Sequence, residues 1–99
     1  MPTEILSVAV FELLAGHEEE SLATLRELFR ALAAGGYSRD SLYRDARSNN
    51  YLLFRYWRSE EARRAAQEDP EVQRCWAKLA HQIRTLSVYE KLEDVFEQK

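Results

Sequence analysis

Residues Phe54 to Trp76 read FRYWRSEEARRAAQEDPEVQRCW, and the fold turns on how this stretch is parsed. Its opening residues close a run, Tyr51 to Trp57, whose side chains alternate across an extended strand: Tyr51, Leu53, Arg55 and Trp57 fall on one face, Leu52, Phe54 and Tyr56 on the other. Ser59 followed by Glu60 and Glu61 starts a helix, because a serine oxygen accepts from the first free amides and the helix dipole favours acids there. Asp69-Pro70 restarts it, since Asp caps and Pro takes the first helical position, where its missing amide costs nothing. The stretch is therefore a strand and a helix in two collinear or kinked pieces.

Upstream, Ser38 to Arg47 reads as a strand and Ser48-Asn49-Asn50 as the turn that joins it to Tyr51–Trp57 in a hairpin. Glu4 to Leu14 is almost continuously apolar, interrupted by Ser7 and Glu12, and predicts a first strand buried on both faces and bounded by Gly16. Between them His17 to Ala34 carries Leu22, Leu25, Leu28, Phe29 and Leu32 at helical spacing and ends at Gly35-Gly36. Downstream, Thr85 to Val95 alternates as a fourth strand, leaving Phe96 to Lys99 as a tail. The order β-α-β-β-α-β is the ferredoxin-like pattern: an α+β class, one domain over residues 1–99, with a four-stranded antiparallel sheet and two helices on one face. Two helices cover only one face of such a sheet. The other face, also apolar, predicts a homodimer formed sheet to sheet.

Ninety-nine residues, 45% apolar and 31% charged, are the size and composition of one globular domain, and a chain this short gains from association. A net charge of −3 without a basic block argues against nucleic acid. The apolar start EILSVAVFELL is interrupted by Glu12 and too short to be a membrane span, and no signal peptide is expected. Cys75 is the only cysteine, which excludes an internal disulfide and suits the cytoplasm.

Chemistry is harder to locate. His81 falls opposite the stripe made by Val72, Trp76, Leu79 and Ile83 and is expected in solvent; His17 opens the first helix, where a cation is disfavoured. Neither has metal-ligand spacing, so no metal is expected. Cys75 reads as a small buried hydrophobe, and Glu71, Arg74 and Lys78 as a solvated helix face. Arg55 stands out, because it shares a strand face with Tyr51, Leu53 and Trp57 and a guanidinium there needs a partner. That partner is an acid, such as Glu90 or a carboxylate of a second subunit, or else a ligand oxygen. Trp57, Trp76, Phe29 and Tyr51 are core, or the lining of a pocket for a flat ligand.

The strand ending YWRSEEA (Tyr56–Ala62), the short helix after it, the Asp69-Pro70 break and the closing VYEKLEDV (Val88–Val95) together resemble the antibiotic biosynthesis monooxygenase domains of the dimeric α+β barrel superfamily. The resemblance spans nearly the whole chain. It implies a cavity between sheet and helices and, in some members, oxidation of quinols or polycyclic phenols without a cofactor; other members degrade haem. In the slots where relatives place a helix histidine, or the haem-degrading branch its Trp, its haem-ligating His and its first-strand Asn, this chain has Ala66, Ala66 again, Trp76 and Ala9. The resemblance thus argues against haem degradation.

The leading expectation is a monooxygenase-like protein, free of cofactor, that acts on a flat phenolic or quinol-type substrate. Arg55, Tyr51, Trp57, Trp76, Phe29 and Tyr89 are its candidate ligand-binding residues, with Tyr51, Tyr43 or Tyr89 to hydrogen-bond the phenol and Arg55 to stabilise the phenolate; no catalytic base is identified. The alternatives are a non-catalytic dimeric binding module, and an isomerase or lyase of a sister family on the same fold.

Overall fold

A computed structural model of the chain describes residues 4–96. The elements are β1 (Ile5–Leu13), α1 (Glu18–Ala34), β2 (Ser38–Arg44), β3 (Tyr51–Trp57), α2 (Glu60–Gln67), α3 (Pro70–Leu79) and β4 (Ile83–Leu92). The strands form one antiparallel sheet in the order β2-β3-β1-β4, so the fold is the ferredoxin-like one, with its second helix delivered as two pieces.

The local signals act as their chemistry requires. Ser59 Oγ accepts from the Ala62 amide at 3.0 Å, and the Asp69 carboxylate accepts from the Glu71 amide at 2.9 Å ahead of Pro70. His17 stands at the start of α1 without a side-chain cap; its ring lies 3.0 Å from Glu20 instead. At the other end of α1 the Tyr37 amide donates to the Leu32 carbonyl and the Gly36 amide to that of Ala33, a Schellman closure that needs the positive φ of +70° that Gly36 supplies.

Three strand boundaries differ from the sequence expectation by two residues or more. β2 ends at Arg44, because Asp45 begins the turn: its carboxylate takes the Ser48 hydroxyl at 2.7 Å and the Arg47 amide at 3.2 Å, and Asn49 adopts φ +65°. β4 starts at Ile83, two residues earlier than Thr85, because Leu13 pairs with Ile83 and the Leu14 amide extends the ladder to the Gln82 carbonyl. It ends at Leu92, so Val95 lies beyond the strand; of the expected tail, residues 97–99 lie outside the described residues.

One face of the sheet packs under the helices. Ile5 and Phe11 of β1 and Leu53 and Trp57 of β3 meet Leu25, Leu28 and Leu32 of α1, Ala66 of α2, and Val72, Cys75 and Leu79 of α3 in one buried cluster. Each fully buried leucine there contributes roughly 2 kcal/mol of transfer free energy. On the opposite face Val8 is buried between its cross-strand partners Phe54 and Tyr89, Tyr43 meets Phe54 edge-on at 5.7 Å, and the Arg39 guanidinium lies 4.1 Å from the centre of the Tyr56 ring. Among the described residues no helix covers this face: Tyr43 and Tyr89 remain 61% and 51% exposed.

Candidate functional site

Between the helix-bearing face of the sheet and helices α1 and α3 lies a cavity of about 300 Å³. Ala9 and Phe11 of β1, Leu53 and Arg55 of β3 and Leu25 and Leu28 of α1 line it, Trp76 and Leu79 of α3 close one side, and Ile83, Thr85 and Val88 bring in β4. Strand alternation puts Ala9, Phe11, Leu53 and Arg55 on the same face, and the antiparallel register sets Ala9 beside Leu53. The lining is apolar except at Arg55 and Thr85.

Arg55 is the chemical centre of this arrangement. Its side chain is 11% exposed and its Nε donates to Asp40 of β2, whose carboxylate is 1% exposed. The two residues face each other across the β2–β3 ladder. Ser38 Oγ donates to the second Asp40 oxygen at 2.7 Å, and the guanidinium lies 5.3 Å from the centre of the Trp57 ring. Arg55 Nη2 is buried and has no hydrogen-bond partner, an arrangement that is costly unless something else supplies an acceptor. The expected partner, Glu90, is not the one: it is 75% exposed and approaches Arg63 at 3.7 Å. Pairing with Asp40 requires the hairpin register Arg44 to Tyr51, which a strand running on to Arg47 would have shifted out of place.

Of the other candidate residues, Trp76 lines the cavity, half-buried. Trp57 is buried beside Arg55, with its Nε1 donating to Ser7 Oγ at 3.2 Å, and Ser7 in turn donates to the Glu90 carbonyl at 2.6 Å. Tyr51 stacks on Phe11 at 6.0 Å between centroids and lines a separate, more polar cleft with Glu12, Glu18 and Arg44. Phe29 packs against the core, away from the cavity lining. Tyr89 pairs with Val8 and so stands on the opposite face of the sheet, as does Tyr43, which pairs with Leu52. The reason for Tyr89 is a bulge: Phe11 pairs with Thr85 but Val10 with Ser87, so an extra residue reverses the alternation between Thr85 and Tyr89. Sequence reasoning missed Asp40, Ser7 and Thr85; only for Asp40 did a signal exist, an acid placed opposite Arg55 once the turn begins at Asp45.

The remaining reactive groups lie elsewhere. Burial pushes the Cys75 thiol pKa up, Glu27 adding to the effect, which suits a packing residue and not a nucleophile. His81 is exposed in the turn after α3. Tyr37 Oη donates to Asp69 at 2.8 Å; this bond raises the tyrosine pKa and lowers that of the carboxylate, joining the end of α1 to the start of α3. Among the described residues no cluster of three or more His, Cys, Asp or Glu could hold a metal, and no helix is long and apolar enough to cross a membrane.

Residues 5–78 match the sequence pattern of the antibiotic biosynthesis monooxygenase family. The chain belongs to that family. No curated protein matches it. Among solved structures, it superimposes on SnoaB, a cofactor-independent oxygenase from Streptomyces nogalater, with a TM-score of 0.76 at 18% identity, over 96% of this chain and 99% of that one. A protein from Bacteroides thetaiotaomicron named for the same family gives 0.81 at 12% identity, over 98% and 95% of the two chains. Rv0793 from Mycobacterium tuberculosis gives 0.74 at 17%, over 94% and 99%. These are likenesses of fold. Two of the antibiotic biosynthesis monooxygenase slots singled out from the sequence, Ala9 and Trp76, line the cavity, whereas Ala66 is fully buried in the core.

Proposed function

We propose that this family member is a monooxygenase-like protein, working without a cofactor, that takes a flat phenolic or quinol-type substrate into the cavity between sheet and helices. The observation that carries the reading is the pairing, in one cavity, of an aromatic and aliphatic lining with the buried, unpartnered Nη2 of Arg55. An apolar ring system gains by leaving water, and an oxygen attached to it supplies the acceptor that Arg55 Nη2 lacks. For an anthrone-like substrate, loss of a ring C–H proton gives an enolate; molecular oxygen adds at that carbon, one oxygen atom stays as the new ketone and the other leaves as water. A hydrogen bond from Arg55 Nη2 to the existing ring oxygen strengthens as charge develops there, the Arg55–Asp40 pair staying neutral as a unit. The lining offers no carboxylate or imidazole, so the substrate's own acidity must release the proton to solvent.

The same lack of an acid–base group in the lining favours a second reading, a binding module that holds such a compound without converting it. An oxygen electrode separates the two. With anthrone, the oxygenase reading expects uptake of one oxygen molecule per anthraquinone formed, faster than with boiled protein and slower in Arg55→Met. Tight binding with no rate above the boiled control refutes catalysis and leaves the module.

The uncovered sheet face, with Tyr43, Phe54, Tyr56 and Tyr89, supports a homodimer formed through it. Light scattering after size exclusion should return twice the chain mass; a soluble monomer at micromolar concentration would refute the assembly.

A further inference from the structure

We propose that Asp40 sets the ligand specificity of the cavity, making it a site for an uncharged carbonyl oxygen and excluding a carboxylate. The inference rests on the cavity being the ligand site, and it goes further by naming which oxygen chemistry is admitted.

A lone arginine in an apolar pocket selects carboxylates, because a fork of donors and a full positive charge meet a full negative one. Here that charge is already spent. Asp40 sits across the β2–β3 ladder, nearly inaccessible, and takes the Arg55 Nε; Ser38 fixes its other oxygen at 2.7 Å. The pair is neutral as a unit, and among the described residues no other charged side chain lines the cavity. What stays without a partner is the buried Nη2 group of this cavity-lining residue, a donor without a free counter-charge. A carboxylate entering this place would lose its hydration and meet a cation whose charge Asp40 has cancelled. A ketone or quinone oxygen loses far less on leaving water and accepts the one hydrogen bond offered. The Trp57 ring beside the guanidinium further restricts how far Arg55 can swing away from Asp40 to meet another anion. Asp40 touches no ligand itself in this scheme: it acts through Arg55.

Two probes of nearly equal shape test the assignment, 1-acetylnaphthalene and 1-naphthoate, which differ in a methyl group replaced by an anionic oxygen. Isothermal titration at pH 7 should show the wild-type protein binding the ketone at least tenfold more tightly than the carboxylate. In Asp40→Asn, which keeps the shape and removes the anion, the order should reverse, and 1-naphthoate should raise the melting temperature of the variant while leaving that of the wild type unmoved. A merely structural Asp40 would lower stability without exchanging the preference. In Arg55→Gln both preferences should vanish. Should Asp40→Asn fail to fold, the wild-type preference alone decides: equal or tighter binding of 1-naphthoate overturns the proposal. An unchanged preference in a folded Asp40→Asn overturns it as well. If neither probe binds the wild type, the cavity is not a site for such ligands, and the proposed function falls together with this inference.

Discussion

Trp76 is the side chain whose removal tells most about the cavity. Replacing a wholly buried large side chain by alanine costs about 3–5 kcal/mol. Trp76, however, packs against the core with part of its surface and faces the cavity with the rest, so Trp76→Ala should cost about half of that, roughly 2 kcal/mol. For a domain of this size each kcal/mol moves the midpoint by about 4–8 °C, giving a fall in Tm of roughly 8–16 °C. Far-UV circular dichroism at a fixed protein concentration measures it, the concentration held because any association would add to the apparent stability. The second readout is ligand uptake. Trp76 forms a wall of an open cavity, so its loss removes a stacking surface worth about 0.5–1.5 kcal/mol beyond area, and a planar ketone should bind about 2- to 12-fold more weakly. Trp57, buried beside Arg55, remains as the fluorescent reporter of folding. Tighter uptake by the variant would mean that the indole fills the space a ligand needs. No change in either readout would mean that Trp76 neither packs nor lines, and the placement of α3 over the sheet would be wrong.

Other expectations follow from the same packing. A Cβ at Gly35 would stand 2.3 Å from the Tyr37 ring, which is tied to Asp69, so Gly35→Ala should destabilise by about 1–3 kcal/mol and its cost should shrink in a Tyr37→Ala background, a coupling that urea melts of the double-mutant cycle resolve. The lowered Asp69 pKa contributes stability present above the unfolded carboxylate value and lost as pH falls through the folded one; the raised Tyr37 pKa contributes stability present below the unfolded phenol value and lost as pH rises through the folded one. Tyr37→Phe should therefore flatten the stability profile in both the acid and the alkaline window, and an unaltered profile in melts across pH would refute the linkage. Cys75 should resist a thiol reagent in the native protein and react once urea unfolds it; rapid native labelling would contradict its burial.

Short-range physics was written plainly in the chain. β3 runs from Tyr51 to Trp57 as its alternation requires, Ser59 and Asp69 cap the helices they precede, and Gly36 closes α1, because each of these outcomes depends on a few neighbouring backbone groups and one side chain. The element order, and with it the ferredoxin-like fold, follows from those local signals. The need of Arg55 for a partner was legible for the same reason, as a cost attached to one residue type on an apolar face. Which acid would meet that need was not: Asp40 and Glu90 were both within reach of a sheet, and the choice rests on where the hairpin turns, a register set by the Asp45 hydrogen bonds and not by β propensity. The side taken by Tyr89 likewise depends on one extra residue absorbed between Thr85 and Ser87, which leaves no trace in an alternating pattern yet moves a tyrosine from the cavity to the opposite face of the sheet. Sequence determines which elements form where the interactions are local; the cavity and the unpartnered Arg55 donor exist only once strands distant in the chain have settled their register, because a shift of a single residue exchanges the two faces of a strand.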